Sequence, residues 1–268
     1  MNRRLHTILC LLLALAPGMA AAPAGARELQ VATLRTAAPE GSSPGNAESD
    51  AITELNEALT RELCRRLAAR CTLQPLAFAE IIPGVESGRF QLGVGNVLLT
   101  PEREEKVLFS RTLWRSSSRL VGTPQSIRKH RPEGSSELQV ESLRNAGVAV
   151  ERGTQQQRYM SRIAASKGLT VIEAASTREA LQNVLDGRAD FALLPIRSAY
   201  FLMLQQPAGA TDFAGPALTE HGLGGTVHMI LPKTEQALRA EVDTALDTMR
   251  SDGTFQRIIR RYMPFLAD

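Results

Sequence analysis

Apolar residues recur every three or four positions in the stretch between residues 51 and 68. They are Ile52, Leu55, Leu59, Leu63 and Leu67. Residues with this spacing lie on one face of a helix. We therefore predict a helix from residue 51 to about residue 68, with this face packed against a core.

Short apolar runs alternate with helical stretches in the first half of the chain. Strands are predicted at 28–33, at 72–77 and at 90–99, where the sequence reads FQLGVGNVLL. A short helix is predicted between the last two strands, at 79–87. The next helix begins after Thr100, which is a suitable cap residue, and the proline that follows suits its first position.

The second half of the chain continues the alternation. The segment GVAVERGT at 147–154 predicts a strand and a turn, and a helix follows at 155–166. Ser176 and Glu179 have the spacing of a capping box for a helix that closes at Gly187, and DFALLPI is the next strand. Strands and helices that alternate in this way predict an α/β fold.

Two further segments bear on the organisation of the chain. Residues 123–137 are rich in charge, proline, glycine and serine, which predicts a solvated surface loop. The segments ESGRFQLGVG at 86–95 and LDGRADFALL at 185–194 both run from a helix end through Gly-Arg into a strand. Two lobes of similar structure would produce this repeated pattern, and so would a common type of helix-to-strand connector that occurs twice.

The N-terminus has the features of a secretory signal peptide. Arginines precede a short apolar run, ILCLLLALA, and small residues follow up to position 26. We predict a signal peptide at 1–26, cleaved after Ala26 or, alternatively, after Ala20. The apolar run is shorter than the ~20 residues of a membrane-spanning helix. We therefore expect a periplasmic protein whose mature chain is not inserted in a membrane.

The charge of the chain indicates little about its partners once the signal peptide is removed. Cleavage after residue 26 leaves 29 basic and 28 acidic residues, a net charge of about +1 in place of +3. Aromatic residues make up 4% of the chain. Nucleic-acid-binding surfaces usually combine a basic face with aromatic side chains, so we expect no nucleic-acid partner.

Cys64 and Cys71 are seven positions apart, and the remaining cysteine, Cys10, lies in the predicted signal peptide. They are candidates for metal ligands, a redox pair or a disulfide. The spacing is wider than CxxC and no histidine is nearby, which favours a disulfide in an oxidising compartment. Positions seven apart in one helix are separated by roughly 10.5 Å, whereas a disulfide allows less than about 7 Å between Cα atoms. The helix must therefore end near Ala69, and two buried free thiols are the alternative.

Several segments resemble, in order and spacing, the periplasmic solute-binding proteins of polar amino-acid ABC transporters. The resemblance is strongest to the lysine/arginine/ornithine- and histidine-binding branch, in which the equivalent cysteines form a disulfide. It covers nearly all of residues 28–263. The segments that carry it are ELCRRLAARCTL, EIIPGVESGRF, LLTPEREEKVLFS, GVAVERGTQQQRYM, LDGRADFALL, QQPAGATDFAGPAL and LRAEVDTALDTMRSDGTFQRIIRRYM.

The resemblance implies a type II periplasmic-binding-protein fold, in which two α/β lobes are joined by a two-strand hinge and the ligand binds between them. Lobe 1 is expected at 27–115 and 226–268, and lobe 2 at 116–225. The crossing strands are expected near SRLVGT at 118–123 and GTVHMIL at 225–231.

The resemblance also implies a carboxylate-binding half-site. The TPER segment of the family ends in an arginine that pairs with the α-carboxylate of the ligand, and this position is Arg103. A guanidinium can hold a carboxylate through two parallel hydrogen bonds. An exposed helical arginine is the alternative interpretation. Gly153 and Thr154 end a strand, and the helix that begins with Gln155 and Gln156 has free N–H groups that suit an anion. Main-chain contacts are expected at Leu98 and Gln155.

The rest of the implied pocket departs from the family. Leu98 stands where the family has a hydroxyl residue that holds the ammonium group of the ligand, and the preceding small or hydroxyl positions of the family are Gly95 and Asn96 here. Pro195 stands where the family has an aspartate that binds the ammonium group. An unpaired buried ammonium is costly. We therefore expect weak binding of standard L-amino acids and a ligand that has a carboxylate but no free α-ammonium, such as an N-substituted or opine-like acid. Two residues could hold an ammonium group instead. Asn96 offers a neutral amide oxygen, and Glu151, if its carboxylate reaches the cleft, is the stronger substitute.

Other positions flank the pocket. Ala37 stands where the family usually has an aromatic residue that covers the side chain of the ligand, and Leu34 stands where it has an acidic residue that favours basic ligands. Four charged residues adjoin these positions, and we expect at least two of them at the solvated rim rather than in the cleft. They are Arg35, Glu151, Arg152 and Arg197.

Three functions are compatible with these residues. The first is a receptor that captures a small carboxylate-bearing, amino-acid-like solute for an inner-membrane ABC permease, and the second is a sensory or accessory binding protein with a membrane partner. The third is an enzyme of the cyclohexadienyl dehydratase type, since that enzyme has the same fold. The sequence shows no recognisable pair of a nucleophile and a base, because the histidines outside the predicted signal peptide are far apart, at His130, His221 and His228. We therefore expect a monomeric binding protein without a catalytic residue, cofactor or metal.

Overall fold

The computed structural model describes residues 27–35 and 51–262. The predicted signal peptide and Ala37 lie outside the described residues. In the described part of the chain, the strands are β1 (Glu28–Leu34), β2 (Arg70–Leu76), β3 (Leu92–Leu98), β4 (Val107–Phe109), β5 (Trp114–Ser116), β6 (Ser118–Gly122), β7 (Gly147–Glu151), β8 (Thr170–Ala174), β9 (Phe191–Pro195), β10 (Asp212–Leu218) and β11 (Gly225–Pro232). The helices are α1 (Ala51–Arg66), α2 (Phe78–Glu86), α3 (Pro101–Glu104), α4 (Pro124–His130), α5 (Gln155–Lys167), α6 (Thr177–Leu185), α7 (Ile196–Leu204), α8 (Gln236–Ser251) and α9 (Thr254–Tyr262).

The strands form two separate sheets. The first has the order β2-β1-β3-β11-β4, and β5 also pairs with β11. In it β1 runs parallel to β2 and β3, whereas β11 is antiparallel to its neighbours. The second has the order β10-β6-β9-β7-β8. We call the elements around the first sheet the first lobe and those around the second sheet the second lobe, and the predicted two-lobed α/β fold is confirmed.

Within residues 51–262 the chain passes between the sheets twice. The first passage lies between β5 and β6, at Ser117, and the second lies between the end of β10 and the start of β11. The two strands that were expected to cross each belong to one sheet, because β6 pairs only within the second and β11 only within the first. Gly225 still pairs with Ser116 in the first sheet. The exact lobe boundaries stay a prediction.

Helix α1 supplies much of the first core. Its apolar face is buried, and Leu55, Leu59 and Leu63 pack in one cluster with side chains of the sheet and of helix α8. Each such leucine contributes about 1.5–3 kcal/mol through removal from water. The predicted helix from 51 to about 68 is therefore confirmed, with its end two residues earlier, at Arg66.

The chain reverses directly after α1, as the cysteine spacing required. Ala68 adopts a left-handed conformation with φ of 48°, and the backbone N–H of Ala69 donates to the carbonyl oxygen of Cys64 at 3.0 Å. Cys71 then lies in β2. The Cα atoms of the two cysteines are 6.1 Å apart and their sulfurs are bonded, so the predicted disulfide is confirmed.

Three local expectations need correction. The predicted loop at 123–137 begins with helix α4, because Thr123 accepts a hydrogen bond from the N–H of Ser126 and Ile127 is buried. Thr100 occupies the N-cap position of α3 but makes no side-chain capping bond. Ser176 accepts from the N–H of Glu179, as the predicted capping box requires, but Glu179 accepts from the N–H of Ala175 rather than from that of the cap residue. Within the residues that the structure describes, no helix is both long enough and apolar enough to cross a membrane.

Candidate functional site

A small cavity lies between the two lobes. All eight residues that the resemblance assigned to the ligand line it, namely Gly95, Asn96, Leu98, Arg103, Thr154, Gln155, Gln156 and Pro195. The cavity volume is about 40 Å³, which is room for about one to three water molecules. The structure thus brings the predicted residues together, while their roles in binding stay a prediction.

Arg103 lies in the short helix α3, which follows strand β3 of the first lobe. Its side chain is buried, with 5% exposure. One guanidinium nitrogen donates to the carbonyl oxygen of Leu98 at 3.0 Å, and the other donates across the cleft to the carbonyl oxygen of Gly153 at 3.4 Å. Burial, with a smaller contribution from the charge of Arg158, lowers the pKa of Arg103 to about 10. The exposed-arginine alternative is therefore wrong for this position.

The strand that precedes α3 is shaped by close contacts. A Cβ atom on Gly95 would lie 2.6 Å from the Ile81 side chain, so a larger residue would displace that side chain. Asn96 has a left-handed backbone with φ of 58°, a conformation that asparagine tolerates better than most residues. Its amide oxygen accepts a hydrogen bond from Asn56 at 3.4 Å. This oxygen is thus engaged with the protein, which weakens Asn96 as a partner for an ammonium group.

The start of helix α5 forms the opposite wall. The Thr154 hydroxyl caps the helix by accepting from the N–H of Gln157 at 3.2 Å, and it donates to the carbonyl oxygen of Glu151 at 2.6 Å. The amide nitrogen of Gln156 donates to Ser118 at 2.8 Å. The buried amide nitrogen of Gln155 has no hydrogen-bond partner among the described residues. The first N–H groups of a helix have no intrahelical acceptor, so this wall is rich in donors.

The four flanking charged residues divide into two groups. Glu151 and Arg197 line the cavity. Glu151 is 5% exposed, and burial lowers the pKa of the half-buried Arg197. Arg35 and Arg152 are exposed; Arg35 donates to the carbonyl oxygen of Pro75, and Arg152 forms an ion pair with Glu173 at 3.2 Å. Two of the four thus lie away from the cavity.

The remaining lining residues were missed or only partly foreseen. Leu34 lines the cavity at the position where the resemblance placed an acid, so this wall is apolar. Thr177 begins α6 directly after strand β8 and its turn. Strands β7 and β8 are parallel, and helices that follow parallel strands begin at the same sheet edge. This rule was the signal in the sequence that could have identified Thr177. Sequence reasoning did not find the other lining residues, which are Ile52, Phe78, Trp114, Ser116 and Ser198.

Comparisons with known proteins agree with this architecture. The family model for bacterial extracellular solute-binding proteins, family 3, matches residues 34–265. The histidine-binding periplasmic protein of Escherichia coli (strain K12) is 27% identical over 267 residues, which is 98% of each chain. The lysine/arginine/ornithine-binding periplasmic protein of the same strain is 27% identical over 209 residues, 77% of each chain. A solved ancestral arginine-binding protein bound to arginine has a TM-score of 0.73 and 22% identity, with 88% of this chain and 98% of that chain covered.

Proposed function

We propose that this chain, which belongs to the bacterial extracellular solute-binding proteins of family 3, captures a small carboxylate-bearing, amino-acid-like solute for an ABC importer. The observation that carries this proposal is the position of Arg103, buried at the wall of the interlobe cavity. Relatives named as periplasmic proteins support the periplasm as the place of capture. The predicted signal peptide would direct the chain there.

The surroundings of Arg103 favour a carboxylate. A buried guanidinium is costly unless it is hydrogen-bonded and its charge is balanced. Its two hydrogen bonds go to neutral carbonyl oxygens, of Leu98 and Gly153. A carboxylate makes shorter and stronger bonds to a guanidinium than a carbonyl does. We therefore expect the carboxylate of the solute to replace or join these carbonyls, with the α5 donors facing it.

The position of Glu151 changes the expectation about the ammonium group. The sequence favoured a ligand without a free α-ammonium unless Glu151 reached the cleft. Glu151 lines the cavity, so a carboxyl group is present although Pro195 stands where the family has its aspartate. The proposed ligand class is therefore defined by its carboxylate, and an amine within reach of Glu151 is compatible with it.

Solute capture requires the lobes to move. The cavity of about 40 Å³ is too small for an amino-acid-sized molecule, which has several times the volume of a water molecule, roughly 30 Å³. In the part of the chain that the structure describes, two connections join the lobes, one at Ser117 and one between β10 and β11. Domain closure around a ligand commonly rotates about a few such connecting residues. We propose that the lobes separate to admit the solute and close around it.

The histidines support binding rather than acid–base catalysis. His130 bonds to Asp190, His221 stacks on Tyr159, and His228 is buried in strand β11. None of these three side chains lines the cavity. A dehydratase needs a proton-transfer group within hydrogen-bond reach of its substrate, and the carboxyl group of Glu151 in the lining could serve as one. We propose a non-enzymatic receptor because the curated relatives are named as binding proteins, and we expect it to act as a monomer.

The test begins with a thermal-shift screen of residues 27–268 against amino acids, opines, dicarboxylates and small peptides. A ligand that binds only the folded state raises the melting temperature. Calorimetry with the strongest hit then compares Arg103→Ala with Arg152→Ala, which removes an exposed guanidinium outside the cavity. Arg103→Ala should weaken binding about thirtyfold or more, since truncating one member of a buried charge pair costs about 2 to 5 kcal/mol. Equal affinities for both variants and the wild type would contradict the role of Arg103.

A further inference from the structure

Helix α7 of the second lobe contacts helix α1 of the first lobe. Strands β6 and β9, which α7 also contacts, place it in the second lobe. Helix α1 contacts strands β1, β2 and β3 of the first sheet. The contact between the two helices is therefore a contact between the lobes, and it exists only while the lobes are close together.

Phe201 gives this contact its apolar character. Its side chain is partly buried and packs against the core cluster of the first lobe, to which Ile52, Leu55 and Leu59 of α1 belong. Among the residues that the structure describes, all other members of this cluster and all other side chains packed against it belong to the first lobe. Phe201 thus adds an aromatic side chain of one lobe to the core of the other.

The Phe201 contact lies beside the interlobe cavity. Ser198 precedes Phe201 by three positions in α7, so the two side chains lie on the same face of the helix. Ser198 lines the cavity, as does Ile52 of α1, whereas Phe201 is not part of the lining. One turn further along α7, Leu204 is 61% exposed. The apolar contact therefore adjoins the cavity at one end and ends before Leu204 at the other.

We infer that Phe201 is a positioning residue for solute capture, which stabilises the closed arrangement of the lobes from outside the ligand site. When the lobes separate, Phe201 leaves the first core and its apolar surface returns to water, which is unfavourable. Full burial of a phenylalanine side chain favours the buried state about tenfold or more, so partial burial should favour closure about fivefold. The inference rests on the lobe closure proposed above, but it does not depend on which solute binds.

Cross-linking of the solute-free protein tests the inference directly. The side chains of Glu102 and Arg158 meet across the cleft at 3.2 Å, so a short bismaleimide should join Glu102→Cys to Arg158→Cys only when the lobes are closed. In this background, Phe201→Ala should slow cross-linking about fivefold. Phe201→Leu, which keeps a smaller apolar side chain, should slow it less, and Leu204→Ala, which truncates an exposed side chain of the same helix, should leave it unchanged.

Labelling with a monofunctional maleimide is the control, because it does not require closure and should be equally fast in all variants. Thermal melting verifies that each variant folds. Cross-linking of Phe201→Ala at the rate of its parent would overturn the inference. An equal loss in Leu204→Ala would also overturn it, because the effect would then come from α7 as a whole rather than from the contact of Phe201.

Release kinetics separate this inference from the proposed function. With the strongest ligand of the screen, Phe201→Ala should raise the dissociation rate about fivefold, because release requires the contact to break, and most effects of such changes appear in dissociation. If this rate is unchanged while Arg103→Ala weakens binding, the inference fails and the proposed function stands. If Phe201→Ala slows cross-linking but no carboxylate-bearing solute binds the wild type, the closing contact stands and the proposed function fails.

Discussion

The guanidinium of Arg158 lies 3.2 Å from the carboxylate of Glu102, and this ion pair links helix α5 of the second lobe to helix α3 of the first. Both side chains are more than half exposed. The neighbouring residue of α3, Arg103, donates to Gly153 of the second lobe. Helix α3 therefore contacts the opposite lobe through two adjacent side chains, one solvated and one buried.

The solvated contact should contribute little to ligand affinity. Exposed ion pairs contribute about 0.2–1 kcal/mol, so Glu102→Gln should weaken solute binding by no more than about fivefold. Screening by salt should reduce the difference between wild type and variant. Calorimetry at low and high ionic strength measures both effects. Glu105→Gln, which removes a nearby exposed carboxylate, is the control, and a loss as large as that expected for Arg103→Ala would contradict this assignment.

The disulfide between Cys64 and Cys71 should stabilise the first lobe. The cysteines close a loop with a sequence separation of 7, for which the chain-entropy model gives about 2 to 3 kcal/mol. The double variant Cys64→Ala/Cys71→Ala should lower the free energy of unfolding by this amount in denaturant titrations. Wild-type protein with reductant should behave like the variant. Two alkyl adducts per mature chain, after denaturation without reductant, would show that the bond does not form.

Features that depend on local pattern were predictable from the sequence. The periodic leucines of α1 predicted a buried face, and the distance that a disulfide allows predicted the reversal before Cys71. Helix α4 was missed because the charged residues and prolines around it suggested a loop. The signal that identifies it is the cap residue Thr123 followed by Pro124 in the first helical position. This signal was outweighed by the composition of the whole segment.

The direction of side chains at the cleft was less accessible. Glu151 ends strand β7, which is paired on both sides, and Val148, Ala149 and Val150 before it are all buried. A strand covered on both faces has no alternating pattern, so the sequence could not decide whether Glu151 points into the cleft. The hydrogen bond from Arg103 to the carbonyl oxygen of Gly153 likewise depends on how closely the lobes approach, which no local pattern records.

His228 should make stability depend on pH. Its Nδ1 lies 2.7 Å from the carbonyl oxygen of Ser110, which can only accept, so Nδ1 carries a proton; Nε2 lies 2.8 Å from the Thr226 hydroxyl, which can donate to a neutral ring. Burial lowers the pKa of His228, which favours this neutral ring. In the unfolded chain histidine titrates near ~6.5. The stabilisation is thus complete above that pH and is lost as the pH falls below it, because the unfolded state binds the proton more readily.

The variant His228→Gln is neutral at every pH and offers both a donor and an acceptor. Between pH 7.5 and 5.5, its melting temperature should fall less than that of the wild type. Scanning calorimetry across this range measures how the melting temperature of each protein changes with pH. Comparing the two slopes cancels the contribution of the other titrating groups, because both proteins share them. Identical slopes would contradict a buried neutral His228.

Gly153 provides the sharpest test of lobe closure. A Cβ atom at this position would lie 2.9 Å from the Cα atom of Ala79, in helix α2 of the opposite lobe. Its backbone is left-handed, with φ of 79°, so any substitution also strains the backbone. Gly187 has a similar φ of 70°, but nothing lies within 4 Å of the added carbon. Gly187→Ala therefore imposes the backbone strain without the interlobe contact.

If the solute is held in the closed cleft, Gly153→Ala and Gly187→Ala should differ in binding but not in the stability of the free protein. Both should lower the melting temperature, because both place alanine in a left-handed conformation. Only Gly153→Ala opposes closure, and overpacking of about 1–3 kcal/mol should weaken solute binding by a factor of about 5 to 150. Calorimetry with the strongest ligand of the screen measures this. Wild-type affinity in Gly153→Ala would show that the solute binds without the close approach of Gly153 to Ala79. The solute would then bind outside this cleft, or the cleft would stay open while the solute is bound.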